Sequence, residues 1–289
     1  MPGALYELVR APAALTVPGD TLAGAAAARI PLRPAAAGLA AASVCLYWAG
    51  MALNDYADRT VDAYERSHRP IPSGRTGAGT ALAVAVCGTA AGLGLAALSG
   101  GRRSLAVAVP LAATVWAYDL KLKRGPWGPV AMATARGLDV LLGATAGSGS
   151  MARAFGPAAT MAAHTAVVTR LSRDEVYGAK AALPRATLAA TAVVCATVVV
   201  PPRGRDERSA LALRAGLAGW YAYRFGGPQA AAVRQPTAER IRSAVGAGIH
   251  SMVPLQAALV ARSGAPLPAL LLSAALPLAR RLSRRVSPT

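Results

Sequence analysis

Apolar residues in this chain occur in blocks of roughly 17–23 residues, which are separated by charged loops. An apolar helix of about 20 residues is long enough to cross the hydrocarbon core of a bilayer. The pattern therefore predicts an all-α fold: a polytopic transmembrane bundle of nine or ten helices that forms a single domain over residues 1–289. The ten predicted segments are 12–30, 35–53, 77–99, 103–119, 127–149, 152–172, 184–201, 209–225, 241–262 and 264–281.

The charge distribution orients this bundle. The chain has 31 Lys and Arg residues against 13 Asp and Glu residues, a formal net charge of +18. The basic residues lie between apolar blocks rather than along one soluble face, which argues against nucleic acid as a partner. Loops after even-numbered segments hold roughly twice as many basic residues as loops after odd-numbered segments. The positive-inside rule then predicts a multi-pass protein of a bacterial-type cytoplasmic membrane, with both termini and the even-numbered loops in the cytoplasm.

A polar motif follows the second apolar segment directly. Asn54–Asp62 reads NDYADRTVD and contains three carboxylates and an amide. On a helix, Asn54, Asp58 and Asp62 recur every four residues and share one face, and Asp55 lies on the flank of that face. Such a cluster at a membrane boundary is costly without a cation. Mg²⁺ takes oxygen ligands and is commonly shared with substrate phosphates, so the motif predicts a magnesium-phosphate site.

Two further polar loops follow the fourth and sixth segments. Residues 118–124 read YDLKLKR, and residues 170–185 read RLSRDEVYGAKAALPR. Both contain carboxylates followed by cations, as the first motif does with its downstream arginines. A diphosphate needs both partners, because carboxylates hold some of its oxygens through a metal ion and Lys or Arg hold the others. All three loops follow even-numbered segments, so we expect them at the same end of the bundle.

The motif NDxxDxxxD at Asn54–Asp62, followed by RPIPSG at 69–74, resembles the UbiA superfamily of membrane prenyltransferases. The resemblance covers most of the chain, and the stretches YDLKLKR, GPVAMATARGLDVLLG and SRDEVYG are most similar to the UbiA-like proteins called EboC. It implies a helical bundle around a lipid-accessible cavity. Mg²⁺ and the polar loops would bind an isoprenyl diphosphate there, and the isoprenyl group would move to an acceptor that the sequence does not identify.

The resemblance also implies roles for individual residues. The implied metal ligands are Asn54, Asp55, Asp58, Asp62 and Asp174, of which Asp58, Asp62 and Asp174 form the catalytic set. The implied diphosphate ligands are Arg10, Arg69, Tyr118, Lys121, Lys123 and Lys180. The chain departs from the family at one position. Family members usually carry a second Asp four residues into the second motif, where this chain has Gly178.

Two alternatives to prenyl transfer remain open from the sequence. A UbiA-type terpene cyclase would direct the carbocation to the substrate's own double bond. A non-catalytic protein of the same fold would bind or transport isoprenoid lipids without turnover, and Gly178 favours that interpretation.

Asp20, Arg136 and Asp139 are ionisable residues inside predicted crossing segments, where such side chains usually face a cavity or pair with each other. Arg136 and Asp139 are three residues apart in the fifth segment, so a local ion pair and contact with substrate both remain open. Asp20 follows Pro18 and Gly19 in the first segment. It is either a similar cavity residue or the N-cap of a broken helix.

Overall fold

The computed structural model describes residues 2–10, 14, 16–31, 33–200 and 208–274. Parts of the first, seventh and tenth predicted segments (residues 12–13, 15, 201 and 275–281) lie outside the described residues. The helices are α1 (Pro2–Leu8), α2 (Pro18–Ala27), α3 (Pro34–Glu65), α4 (Ala78–Ala117), α5 (Gly128–Gly143), α6 (Phe155–Ser172), α7 (Ala182–Val199), α8 (Arg208–Tyr221), α9 (Gly227–Arg234) and α10 (Ala238–Arg262), with a further helical stretch at 266–274.

Helix α4 consists of two crossings that are joined at Gly101. This residue has φ 63° and ψ −148°, a conformation that is essentially restricted to glycine. A straight helix of 40 residues would be about 60 Å long, twice the hydrocarbon thickness of a bilayer. Gly92 before the turn and Val115 after it both lie against α3, so the chain folds back on itself. The sequence division into segments 77–99 and 103–119 agrees with this turn.

Among the described residues, four helices are long and apolar enough to cross a membrane by length and composition. They are Pro34–Glu65, Ala78–Leu122, Ala182–Val199 and Ala238–Arg262. The second of these contains the two crossings that meet at Gly101, and shorter helices such as α2 and α5 pack between the long ones. The architecture is therefore the predicted one, a polytopic all-helical transmembrane bundle.

Helices α2 and α5 approach each other backbone to backbone. A Cβ atom at Gly24 of α2 or at Gly143 of α5 would overlap the backbone of the opposite helix. Small residues at such contacts let membrane helices pack closely. The close approach brings Asp20 of α2 against Arg136 of α5, a pair that is 116 positions apart in the sequence.

The three polar loops gather at one end of the bundle, as the sequence predicts. Lys123 of the second loop contacts Asp58 of the first motif at 2.7 Å. Arg173 of the third loop donates to the carbonyl of Gly125 in the second loop at 2.5 Å. A π-helical turn, Tyr118–Leu122, extends α4 into this cluster and positions the second loop.

Candidate functional site

The first polar motif occupies the last turns of α3, at the polar end of the bundle. Asp55 and Asp62 are almost fully buried, and Asp58 is partly exposed. A buried carboxylate is costly unless it is paired and hydrogen-bonded. Each carboxylate of the motif is paired with basic side chains, and Asp55 and Asp58 also accept hydrogen bonds from them.

Arg69 holds the two buried carboxylates together. Its guanidinium lies 2.5 Å from the Asp55 carboxylate and 3.9 Å from the Asp62 carboxylate. Arg66 adds a contact to Asp62 at 3.6 Å. The RPIPSG segment after α3 forms a compact turn in which Ser73 donates to the Arg69 carbonyl. This turn directs the Arg69 side chain back onto the acidic face of α3.

Arg10 reaches the same site from the start of the chain. Its guanidinium lies 3.1 Å from the Asp55 carboxylate and 3.4 Å from the sulfur of Met51. Its φ of 47° lies in the left-handed region, which a residue other than glycine rarely adopts. Glu7, one turn earlier, accepts hydrogen bonds of 2.5 and 3.2 Å from Arg75, and this contact raises the pKa of Arg75. Helix α1 is thereby fixed beside the site.

A second group of contacts surrounds Asp58. The Lys123 ammonium lies 2.7 Å from the Asp58 carboxylate and 3.9 Å from the carboxylate of Asp119. Arg124 contacts Asp58 at 3.2 Å. The amide nitrogen of Asn54 donates to Asp119 at 2.9 Å. Lys123 thus lies between two carboxylates, at the place where the sequence predicts a metal ion.

A cavity of about 270 Å³ opens beside these groups and runs into the bundle. Its lining changes from polar to apolar and back to polar along the helices that form it. It includes Arg10, Asn54, Tyr118 and Asp119 at the mouth, Leu46, Met51, Leu111 and Val115 along the walls, and Ser43, Arg136 and Asp139 at the inner end. A polar mouth on an apolar cavity suits a ligand with an anionic head and a hydrocarbon tail.

The polar residues at the inner end form a buried network. Arg136 pairs with Asp20, and Gln256 of α10 also donates to Asp20 at 2.9 Å. Ser43 donates to Asp139 at 2.6 Å. The Arg136–Asp139 pair that the sequence left open is therefore replaced by a pair with α2, and Asp20 lies inside α2 rather than at its N-cap.

The third polar loop contributes less to the mouth than the sequence suggests. Asp174 pairs with Arg170, four residues earlier on α6, and Lys180 is exposed. Lys121 is also exposed and lines a smaller pocket of about 100 Å³ next to Asp119. The predicted residues that the described contacts and the cavity bring together are Arg10, Asn54, Asp55, Asp58, Asp62, Arg69, Tyr118 and Lys123.

Gly178, the departure in the second motif, has φ 81°. A Cβ atom there would lie 2.7 Å from the carbonyl oxygen of Pro236, at the start of α10. The neighbouring amide of Ala179 donates to that same oxygen at 3.0 Å. The backbone at this position is thus arranged for glycine, and an aspartate would not fit without a change in the loop.

Sequence reasoning missed several residues of the site. Asp119 and Arg124 lie in the YDLKLKR loop. The sequence contains a signal for Asp119, because this carboxylate is four residues before Lys123 and the two can pair on a helix. Ser43 and Gln256 lie within apolar segments. Nothing in the spacing of those two residues indicates that they meet Asp139 and Asp20, because both contacts depend on how the helices pack.

The chemistry of the donors at the mouth suits Mg²⁺ that is shared with a ligand. Asn54, Asp58 and Asp62 present hard oxygen donors on one helical face. No group of three His, Cys, Asp or Glu side chains within the described ranges could hold a metal by itself. Mg²⁺ is usually bound through one or two carboxylates together with substrate phosphates, so a protein-only cage is not required.

Together, the helices form a bundle whose apolar cavity opens at a mouth rich in carboxylates and cations. The chain belongs to the UbiA prenyltransferase family, whose sequence model matches residues 14–233. Digeranylgeranylglyceryl phosphate synthase of Methanopyrus kandleri is 38% identical over 132 residues, which are 45% of this chain and 46% of the relative. The synthase of the same name from Methanothrix thermoacetophila is 38% identical over 107 residues, 37% of this chain and 40% of the relative. The chain thus matches less than half the length of these relatives.

Two solved structures share the fold. One is described as giving structural and mechanistic insights into the biosynthesis of digeranylgeranylglyceryl phosphate synthase in membranes. It matches with a TM-score of 0.64 at 16% identity, over 91% of this chain and 99% of that chain. A UbiA homologue from Archaeoglobus fulgidus, bound to GPP and Mg²⁺, matches with a TM-score of 0.59 at 16% identity, over 92% and 99% of the two chains. At this identity the likeness concerns the fold alone.

Proposed function

We propose that this chain is a Mg²⁺-dependent membrane prenyltransferase that moves an isoprenyl group from its diphosphate to an acceptor. The observation that carries the proposal is the set of carboxylates and cations at the mouth of an apolar cavity. Membership of the UbiA prenyltransferase family supports it, as does the GPP and Mg²⁺ bound to the Archaeoglobus homologue.

Two groups of residues at the mouth bind the diphosphate, one through Mg²⁺ and one directly. Asn54, Asp58 and Asp62 would hold Mg²⁺, which when bound supplies positive charge to the leaving diphosphate. Arg10, Arg69 and Lys123 bind the remaining phosphate oxygens, because their cationic groups already lie at the mouth. The apolar walls of the cavity keep water from the allylic carbon, so the acceptor attacks it instead.

Three finer assignments belong to this proposal. We place the chain with the EboC-like proteins of the family on the stretches YDLKLKR, GPVAMATARGLDVLLG and SRDEVYG. We place the mouth on the cytoplasmic face, because its loops carry the excess of basic residues. The acceptor stays unassigned, since the two archaeal relatives match less than half of this chain.

A non-catalytic isoprenoid-lipid binding protein is the second candidate. The observation that favours it is the glycine-specific backbone at Gly178, which removes a carboxylate from the second motif. In this case the mouth would bind the diphosphate headgroup, and the bond between the diphosphate and the isoprenyl group would not break. A terpene cyclase would differ again, because it would release diphosphate without any acceptor.

The test is diphosphate release by the purified chain in nanodiscs with Mg²⁺, labelled geranyl or farnesyl diphosphate, and a panel of acceptors. The panel includes aromatic acids, quinone precursors, sugars and glyceryl phosphate lipids. We expect release that depends on Mg²⁺ and falls by at least about 100-fold in Asp58→Asn. The matched control is Glu239→Gln, which alters an exposed carboxylate in the first turn of α10.

The outcome separates the three candidates. Release only with an acceptor supports the transferase. Release without an acceptor, accompanied by a cyclic hydrocarbon, supports the cyclase. Tight binding of the diphosphate with no release across the whole panel contradicts both enzymes and supports the binding protein.

A further inference from the structure

The helices that line the cavity allow its depth to be measured. Asn54 at the mouth and Ser43 at the inner end lie on the same face of α3, eleven residues apart. At 1.5 Å per residue, Ser43 lies about 16 Å below Asn54. Asp139 of α5 lies at the same level, because it accepts a hydrogen bond of 2.6 Å from Ser43. The inner polar residues of α3 and α5 therefore lie about 16 Å from the mouth.

The inner end is closed by side chains that are held in place. Asp139 is 5% exposed and Ser43 is 3% exposed, and the hydroxyl of Ser43 donates to Asp139 at 2.6 Å. Asp20 is fully buried between Arg136 and Gln256. These contacts connect α2, α3, α5 and α10, so no single side chain can turn away without breaking a contact to another helix.

A hydrocarbon tail cannot easily pass this network. Separating a buried ion pair leaves an uncompensated charge in a medium of low dielectric constant, and a hydrocarbon offers no hydrogen bond in return. Ionisable groups at membrane depth are costly unless they keep their partners. A tail that follows the cavity inward therefore ends where the apolar wall ends, at the level of Ser43 and Asp139.

The length of an isoprenoid tail can be compared with this depth. An extended chain spans about 3.8 Å over three bonds, so an isoprene unit with four backbone bonds spans about 5 Å. Geranyl, farnesyl and geranylgeranyl tails are then about 10, 15 and 20 Å long. We propose that the buried network of Asp20, Ser43, Arg136 and Asp139 is a floor that admits geranyl and farnesyl diphosphates as donors and rejects geranylgeranyl diphosphate.

The size of the cavity agrees with a short tail. Its volume of about 270 Å³ lies just below the range of about 300–1,000 Å³ that is typical of pockets for drug-sized ligands. This inference rests on the proposed function, since it names the donor class of the same cavity.

The test measures binding rather than turnover. The purified chain in nanodiscs with Mg²⁺ is titrated with the non-reacting S-thiolodiphosphates of geranyl, farnesyl and geranylgeranyl. We expect similar dissociation constants for the first two and binding at least about tenfold weaker for the third.

A narrowing variant checks that the tail follows this path. Leu46 lines the wall eight residues before Asn54, about 12 Å below the mouth. We expect Leu46→Phe to weaken farnesyl binding about tenfold relative to geranyl binding. Leu111→Phe, eight residues before Asp119 on α4, is expected to do the same and serves if the first variant does not fold. The control is Leu93→Phe, which makes the same change on α4 away from the cavity.

Two results would count against different claims. Equal binding of all three analogues, with both narrowing variants affecting them equally, would show that the tail does not meet this floor. Failure of every analogue to bind in the presence of Mg²⁺ would instead contradict the proposed function itself.

Discussion

At the scale of single residues, Arg69 has an unusual position because its guanidinium contacts two buried carboxylates. Asp55 and Asp62 are 4% and 2% exposed, and both contact this one guanidinium. Water reaches neither carboxylate well. Loss of the shared guanidinium therefore leaves negative charge buried in surroundings of low dielectric constant. The side chain that we propose as a diphosphate ligand is therefore also needed to stabilise the fold.

We expect Arg69→Ala to lower the free energy of unfolding by about 3 kcal/mol, since it leaves two buried carboxylates with weaker partners. Denaturant titration in detergent measures this. The control is Arg59→Ala, because Arg59 is exposed and its guanidinium lies 4.5 Å from the centroid of the Tyr56 ring. That contact is worth about 0.5–1 kcal/mol. Equal losses in the two variants would contradict the assigned role of Arg69.

The two lysines of the YDLKLKR loop provide another comparison between single residues. From the sequence, Lys121 and Lys123 are equal candidates for a diphosphate ligand. The structure places Lys123 between Asp58 and Asp119 and leaves Lys121 exposed. We expect Lys123→Ala to reduce diphosphate release by at least about tenfold, and Lys121→Ala to reduce it much less. The reverse order would mean that the loop rearranges when the ligand binds.

At the scale of helices, the turn at Gly101 decides whether α4 makes one crossing or two. Its backbone lies in a region that costs of order 1–3 kcal/mol for other residues. We expect Gly101→Ala to lower the free energy of unfolding by that amount. A Cβ atom at Gly101 meets nothing within 4 Å, so the backbone alone accounts for the loss.

Gly94→Ala is the matched control for this turn, since it lies on the same helix with a helical backbone and open space around it. Alanine is favoured over glycine inside helices by roughly 0.5–1 kcal/mol, so this variant is expected to be neutral or more stable. A similar loss of stability in both variants would show that glycine is needed for helix packing rather than for the turn.

The helices could be predicted from the sequence, but their partners could not. Apolar blocks and their charged boundaries are local properties, and they located the crossings and the acidic face of α3. The pairing of Asp20 with Arg136 depends on the close approach of α2 and α5, which no local pattern encodes. Asp119 is four residues before Lys123, a spacing that the sequence shows, but its contact with Asn54 of α3 depends on how the helices pack.

At the scale of the whole molecule, the polar mouth and the opposite end should lie on different sides of the membrane. Tyr177 in the third polar loop is 94% exposed, and Ser148 at the other end is also exposed. In a variant without Cys45, Cys87 and Cys195, we expect a cysteine at 148 to react with an impermeant maleimide on intact cells. A cysteine at 177 should react only after the cells are opened. The opposite pattern would reverse the proposed orientation.

The left-handed backbone at Gly178 also bears on how this chain can evolve. A Gly178→Asp substitution would meet both an unfavourable φ and the carbonyl of Pro236. The turn before α10 would have to change as well, so a second carboxylate in this motif needs more than one substitution. We expect changes of the mouth to be tolerated better at other positions, such as Asp119, than at Gly178.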